Sequence, residues 1–461
     1  MKKIWALSML PMLLATPAFA DNAADQPAGG VNFNLKGISV NFGGFLEGAT
    51  LYRSRNLNSD IASPIQKLPL ANSAGYYQDE TRFSARQSRL SLLVRGDYSP
   101  TTHLAGYYEM DFLGAAPTAN YNESTSFNPR VRHLYTTIDW DRLGLHVLGG
   151  QTWSLATMNN KGITPRNEAP PLTIEAQYIP GFTWARQPQF RVVKDWDKKY
   201  WLAVSVENAQ TTAASTPNAP SNTNLALNQP AGLLLSSPVS VNDRPDIVVK
   251  AAWEPSFGHF EVYDLVRGFR SDIAENGSIH HQNTTTNAVG GGMIVPVLNN
   301  KVTLTASALY GKGIGRYGSA QLPDVTQDPN GNLQPLTELQ YLAGVTYSPS
   351  SDWDFYAYYG AEQVQQKDWV SGGKGYGYGS PLYNNTGFST FGSAANTVQG
   401  QVKRVSQIAV GDWWKFYQGS FGKMQTGLEY SYTTDQYFDG IGGAPSAHDH
   451  IAMASLRYYW Q

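Results

Sequence analysis

The sequence predicts an all-β protein: a 16-stranded antiparallel transmembrane β-barrel with short turns at one end, long loops at the other and a third loop folded inward. Three observations carry that expectation. Polar and apolar side chains alternate along segment after segment, which is the period of a strand with one wet and one greasy face. Seven short breaks and eight long polar stretches alternate strictly along the chain. After an N-terminal leader, no apolar run approaches the ~18 residues that a spanning helix needs, so a membrane span must be built from strands.

The leader is "MKKIWALSMLPMLLATPAFA". Lys2 and Lys3 precede an apolar stretch from Ile4 to Leu14, and Ala18-Phe19-Ala20 stands just before Asp21. That is the plan of a secretory signal over residues 1–20, with an A-x-A cleavage site. Residues 21–39 read as a short periplasmic segment rich in Gly and Asn, and 40–461 as the barrel. Composition agrees: charged residues make up 15% of 461, against about 25% in a soluble domain. A formal net charge of −2 without any Lys/Arg run excludes nucleic acid as a partner. With no Cys, disulfides and thiolate metal sites are excluded too; a barrel closed by its own hydrogen bonds needs neither.

The strands follow in order. The first covers about 40–53. "SRLSLLVRGDYSPTTHLAGYYEMDF" (88–112) gives the second and third: Leu90, Leu92 and Val94 oppose Arg89, Ser91 and Arg95, and after the break Leu104, Tyr108, Met110 and Phe112 oppose His103, Tyr107, Glu109 and Asp111. Residues 302–310, 339–347, 353–359, 424–432 and 452–460 alternate in the same way. Short breaks fall at Ser99–Thr102, Asp139–Arg142, Asp195–Lys198, Pro255–Gly258, Asn299-Asn300, Pro349–Asp352 and Gln418–Ser420. Between them lie polar stretches at about 54–80, 114–128, 152–185, 208–244, 271–286, 314–335, 364–400 and 434–448. The first and last strands both end on the short-turn side, where they can pair and close the cylinder. Trp140, Trp196, Trp201, Trp253, Trp353, Trp414 and Trp460 all lie near that end, as an interfacial belt of indoles would. The greasy face is then the outside and the polar face lines an aqueous interior.

Arg89, Arg95, Arg130, Arg132 and Arg191 fall on strands two, four and six facing that interior, with Glu109 and Asp111 on strand three. Several arginines on neighbouring strands favour anion handling. The third loop (152–185) carries Pro165, Pro170, Pro171 and Pro180, and structureless stretches of such length are usually functional. Folded inward, it would narrow the channel and bring Lys161, Arg166, Glu168 and Glu175 opposite the barrel arginines; an external flap is the alternative. Tyr107, Tyr356, Tyr358 and Tyr459 could stack on sugar rings in the lumen or belong to an aromatic girdle. Gly290-Gly291-Gly292 offers a flat patch for a subunit contact.

"NPRVRHLYTTIDW", "GGQTWSLAT" and "WARQPQFRVVKDW" resemble strands four to six of trimeric Gram-negative porins, and among these the DcaP-like dicarboxylate porins. The resemblance spans about residues 83–200. It implies a 16-stranded homotrimer in the bacterial outer membrane, whose third loop forms a constriction opposite a basic wall. The residues it singles out are Arg130, Arg132, Gln151, Trp153, Gln189 and Arg191. Unlike those porins, 21–39 shows no heptads of an N-terminal coiled coil.

The expected function is passive diffusion of small hydrophilic solutes, favouring organic anions, in contact with outer-membrane lipids and lipopolysaccharide, without enzymatic activity or cofactor. A sugar-selective channel, an outer-membrane hydrolase and a surface-binding barrel remain alternatives. "GIGRYG" (313–318) is followed by no helical pattern and so makes no dinucleotide site. "DPNGN" (328–332) reads as a plain turn. His280-His281 and His448-Asp449-His450 fall on external loops, where they could bind metal opportunistically; no dedicated metal site is expected.

Overall fold

The computed structural model describes residues 31–35, 37–114, 127–218, 225–226, 240–393 and 398–460. The expected signal peptide (1–20), residues 21–30 and Gln461 lie outside them. Sixteen strands form one closed antiparallel sheet. They are β1 Ile38–Arg53, β2 in two pieces, Glu80–Ser84 and Arg89–Ser99, β3 Thr102–Asp111 and β4 Arg130–Trp140. β5 Leu145–Trp153, β6 Arg186–Trp196, β7 Tyr200–Glu207 and β8 Asp246–Trp253 follow. Then come β9 His259–Glu275, β10 Ser278–Val297, β11 Val302–Lys312 and β12 Thr337–Ser350. β13 Trp353–Val364, β14 Val402–Gly419, β15 Gly422–Tyr437 and β16 Ser446–Tyr459 complete the set. Each strand pairs with the next, and β16 returns to β1 from Leu46↔Tyr458 to Arg53↔Ile451. Closure leaves the spanning sheet no unpaired edge.

The alternation read from the sequence becomes inside and outside. In β7, Tyr200, Leu202, Val204 and Val206 face out and are exposed, while Trp201, Ala203, Ser205 and Glu207 are buried within. β6 does the same, with Phe190 and Val192 outside and Gln189, Arg191 and Val193 inside. Trp196, Trp253 and Trp414 face outward beside short turns. Trp201 does not join that belt: it alternates with outward Tyr200 and Leu202, so it points inward and stacks on His146.

Three local features depart from the expected layout. First, Val31–Leu35, in the segment expected to lie outside the barrel, is a strand paired antiparallel with Ile38–Phe42 of β1. β16 ends level with Leu46, and this short strand covers the edge of β1 that β16 leaves free. Second, 271–286 is not an irregular loop. β9 and β10 stay in register up to Glu275↔Ser278, and Asn276 and Gly277 turn the chain with φ of 49° and 76°, the left-handed pair of a two-residue hairpin. His280 and His281 therefore lie on β10, and His448 and His450 on β16, not on loops. Third, Gly290 and Gly292 face inward, where Cβ atoms would strike Tyr263 and Met158; they make room for the interior rather than for a subunit contact.

Two long loops turn into the cylinder. Leu155, Ala156 and Ile163 of loop 154–185 pack with Val193, Trp201, Val248, Tyr263 and Leu265 of the β6–β9 wall. Ile174 and Ile179 pack with Leu51, Leu342, Tyr356, Tyr358 and Trp413 on the opposite side. Loop 313–336 follows it inward: Ile314 and Tyr317 join the first cluster, and Trp184 N–H donates to the Tyr317 carbonyl at 3.0 Å. Burying these apolar side chains against the inner wall fixes both loops.

Candidate functional site

β3 brings Tyr107, Glu109 and Asp111 to the inner face. Opposite them β4 is bulged: Glu109 pairs with His133 but Met110 with Val131, so Arg132 is the extra residue. The bulge re-aims the strand and puts Arg130 and Arg132 beside the two carboxylates. Arg132 Nε donates to Glu109 Oε1 at 2.6 Å, and another of its nitrogens to Asp111 Oδ2 at 3.2 Å. Arg130 grips Asp111 with two bonds of 3.0 and 2.6 Å, the paired geometry that suits guanidinium and carboxylate. Tyr107 Oη donates to Glu109 Oε2 at 2.8 Å.

Further cations share this wall. Arg89 of β2 is buried with its guanidinium 5.3 Å from the Phe45 ring. Arg95, on the same face nearer the short turns, is exposed. Arg166 reaches across from loop 154–185, donates to Tyr135 Oη at 2.9 Å and lies 5.3 Å from the Tyr107 ring. Arg186 lies 4.4 Å from the Trp153 ring. Nearer the short turns, Asp97 is engaged by His103 at 2.6 Å and Asp139 by His146 at 2.7 Å. Around Glu109, Asp111 and Glu168 four guanidiniums gather, those of Arg130, Arg132, Arg166 and Arg186.

The β7–β9 wall is built otherwise. Lys250, 0% exposed, forms an ion pair with Glu261 at 2.8 Å and donates to the Thr157 carbonyl at 2.8 Å. His259 stands between Glu254 Oε1 at 2.5 Å and Glu261 Oε2 at 3.0 Å. The same carboxylates accept from the loop tip, Glu254 from Gly162 N–H at 2.5 Å and Glu261 from Asn159 N–H at 3.1 Å. Glu254 belongs to the short β8–β9 turn, so the loop tip descends close to the periplasmic end. Higher up, Arg267 pairs with Asp246 at 3.2 Å and with Asp324 of the second inserted loop at 2.6 Å.

The sequence-predicted residues separate on this frame. Arg89, Arg130, Arg132, Glu109 and Asp111 come together with Arg166. Arg191 faces inward but is only 2% exposed, bound to Gln189 Oε1 at 2.8 Å and the Trp153 carbonyl at 2.7 Å. Gln189 and Trp153 belong to that buried knot; Gln151 lies on the outward side, donating to the Val131 carbonyl. Lys161 is exposed at the loop tip, and Glu168 is buried and bridged to Asn159. Glu175 does not face the β2–β4 arginines: it accepts from Ser63 Oγ at 2.6 Å, and Ser63 in turn accepts from Arg53. Tyr107, Tyr356, Tyr358 and Tyr459 point inward rather than into a girdle, and all four are buried, with no open ring face for a sugar.

Sequence reasoning missed the anchor of Lys250, His259, Glu254 and Glu261. A lysine on the inward register of "IVVKAAW" was a usable signal; nothing in the turn "EPSFGH" marked Glu254.

No protein-family model matches the chain, and no curated protein does. Among solved structures it is similar to the outer membrane channel DcaP of Acinetobacter baumannii, at 19% identity and a TM-score of 0.65, over 94% of this chain and 100% of that one. OprB of Pseudomonas putida aligns at 10% identity and a TM-score of 0.49, over 91% and 94%. OmpF of Salmonella typhi aligns at 11% and 0.48, over 93% and 100%. This chain is thus a 16-stranded barrel with the fold of an outer-membrane channel.

Proposed function

We propose that this chain is an outer-membrane porin through which small hydrophilic solutes diffuse passively, that it favours organic anions, and that it works as a homotrimer among outer-membrane lipids. One observation carries the anion preference: the guanidiniums of Arg130, Arg132, Arg186 and the loop-borne Arg166 gather around Glu109, Asp111 and Glu168, while Asp97 and Asp139 of the same wall are already engaged by His103 and His146. An excess of fixed positive charge in a confined aqueous path attracts anions and repels cations. The bidentate Arg130–Asp111 pair holds its donors rigidly, which suits planar carboxylates more than round cations.

The experiment is a planar bilayer with a salt gradient. Reversal toward the chloride potential is expected, together with current block by organic dicarboxylates. A cation-selective pore overturns the reading. The trimer is tested by the mass of the detergent-solubilised particle, where a monomer at working concentration removes it.

A further inference from the structure

Beside the short turns, acids and histidines alternate from strand to strand. Asp97 of β2 pairs with His103 of β3, His103 with Asp139 of β4, and Asp139 with His146 of β5. Direct partners across a ladder share one face of the sheet. That face is the inner one: His103 has the parity of inward Tyr107 and Glu109, and His146 that of inward Leu148.

Each ring is held at both nitrogens. His103 Nδ1 lies 2.6 Å from Asp97 Oδ1, and its Nε2 lies 2.9 Å from Asp141 Oδ2 in the β4–β5 turn. His146 Nδ1 lies 2.7 Å from Asp139 Oδ1, and its Nε2 lies 3.0 Å from Asp195 Oδ2 at the end of β6. An ionised carboxylate only accepts, so both contacts of a ring are hydrogen bonds only when both of its nitrogens carry protons. A neutral ring would donate once and turn a lone pair on the second carboxylate. The flanking acids therefore hold each imidazole in its charged form. The other charged groups around the row are Arg95, two residues along β2, Arg142 in the β4–β5 turn, and Lys194 and Lys198 beside Asp195. Lys194 donates to the Leu143 carbonyl at 2.6 Å, and the Lys198 backbone N–H donates to Asp195 Oδ1 at 2.9 Å.

His259 makes the same double contact with Glu254 and Glu261, but it is 2% exposed and sealed beneath the loop tip. His103 and Asp97 are open, with side chains 38% and 71% exposed, and His146 and Asp139 are partly so. Solutes released past the inserted loop leave through the mouth that these turns surround, so charge on the open row acts on them.

We propose that His103 and His146 determine the ionic preference of the periplasmic mouth. Their imidazolium charges offset Asp97, Asp139, Asp141 and Asp195. Loss of the two protons as pH rises makes the mouth more negative by two charges and disfavours anions. The inference rests on reading the chain as an open channel.

The test measures reversal potential of the full-length protein in planar bilayers under a salt gradient, from about pH 6 to about pH 9. The wild-type anion-to-cation permeability ratio falls about threefold with rising pH in dilute salt, the effect of two solvent-screened charges. The double variant His103→Gln/His146→Gln holds the low ratio throughout, because glutamine keeps a donor without a charge. His280→Gln, on the external hairpin, keeps the wild-type profile. A wild type without pH dependence overturns the proposal, as does a double variant that keeps the wild-type profile. Ring-nitrogen NMR of histidine-labelled protein in detergent reads the protons directly, with signals assigned by the single variants. Both rings are expected to be doubly protonated at about pH 7; neutral rings overturn the proposal. A cation-selective pore whose ratio still falls in this way overturns the anion preference and keeps the present inference, so the two readings fail separately.

Discussion

The two sides of the lumen use the same residue types to opposite ends. Along β7–β9 every named cation is matched: Lys250 with Glu261, Arg267 with Asp246 and Asp324. There the charges clamp backbone of two inserted loops and are sealed from water. Along β2–β4 the charges are not all sealed: Arg132 is buried against Glu109 and Asp111, but Arg95 lies exposed to water. Matched buried charge serves position, since breaking it strands a charge in a dry place. Charge at a wet surface costs little in stability and acts on whatever passes. The same barrel therefore holds a structural wall and a solute-facing wall.

The largest expected effect comes from breaking the structural wall. Lys250→Met leaves Glu261 buried without its ammonium and Thr157 without its donor, a loss of about 3–5 kcal/mol measured by denaturant unfolding in detergent. Conductance should rise and become noisy as the loop tip detaches. A loss under about 1 kcal/mol would erase the distinction between the walls. Next is Gly162→Ala: its φ is +63° and a Cβ would lie 2.7 Å from Trp201 Cζ2. The left-handed backbone alone costs a non-glycine residue about 1–2 kcal/mol. Hydrogen exchange at 157–163 should accelerate, while the β2–β4 strands keep their protection; acceleration of both would show one cooperative interior.

Much of the spanning part was legible because half-wet strands alternate with period two, as β6 and β7 do. Legibility stops where that asymmetry stops. Beyond the membrane β10 is exposed on both faces from Ser278 to Asn283, so this stretch loses its apolar beat while its ladder with β9 continues; only Asn276-Gly277 announced the hairpin. The inward turn of 313–336 was also unread, although Ile314, Tyr317 and Leu322 are more apolar than an external loop needs. At the site, a strict count of two from inward Tyr135 puts Arg130 and Arg132 outside. The bulge that reverses them depends on pairing with β3, which a single strand does not encode. The anchor at Glu254 and His259 joins residues brought together only by the tertiary fold.

The smaller predictions probe the solute-facing wall. Glu109→Gln keeps one oxygen to accept from Arg132, turns the Tyr107 contact into one where the amide N–H donates to the hydroxyl oxygen, and adds one net positive charge. One charge about 8 Å from a passing ion is worth about half a kcal/mol even in bulk-water dielectric, with opposite sign for anion and cation, so the anion-to-cation permeability ratio should rise about five- to sixfold. Arg132→Gln should lower it by a similar factor, measured as reversal potential. An unchanged ratio in both would mean that ions do not pass this wall.

The smallest effect is expected at Arg95, on the same face but open to water. Arg95→Gln should lower the ratio by less than about twofold in dilute salt, because solvent screens an exposed charge. The informative variable is ionic strength. At 1 M salt the screening length is about 3 Å, so the Arg95 effect should vanish. The Glu109 effect should persist, because that carboxylate is buried against Arg132 and ions cannot crowd around it. If both effects disappear together, the β2–β4 arginines act as a diffuse surface potential. If only the first disappears, selectivity is set at the buried Arg130–Arg132–Glu109–Asp111 cluster, where the bulge in β4 placed it.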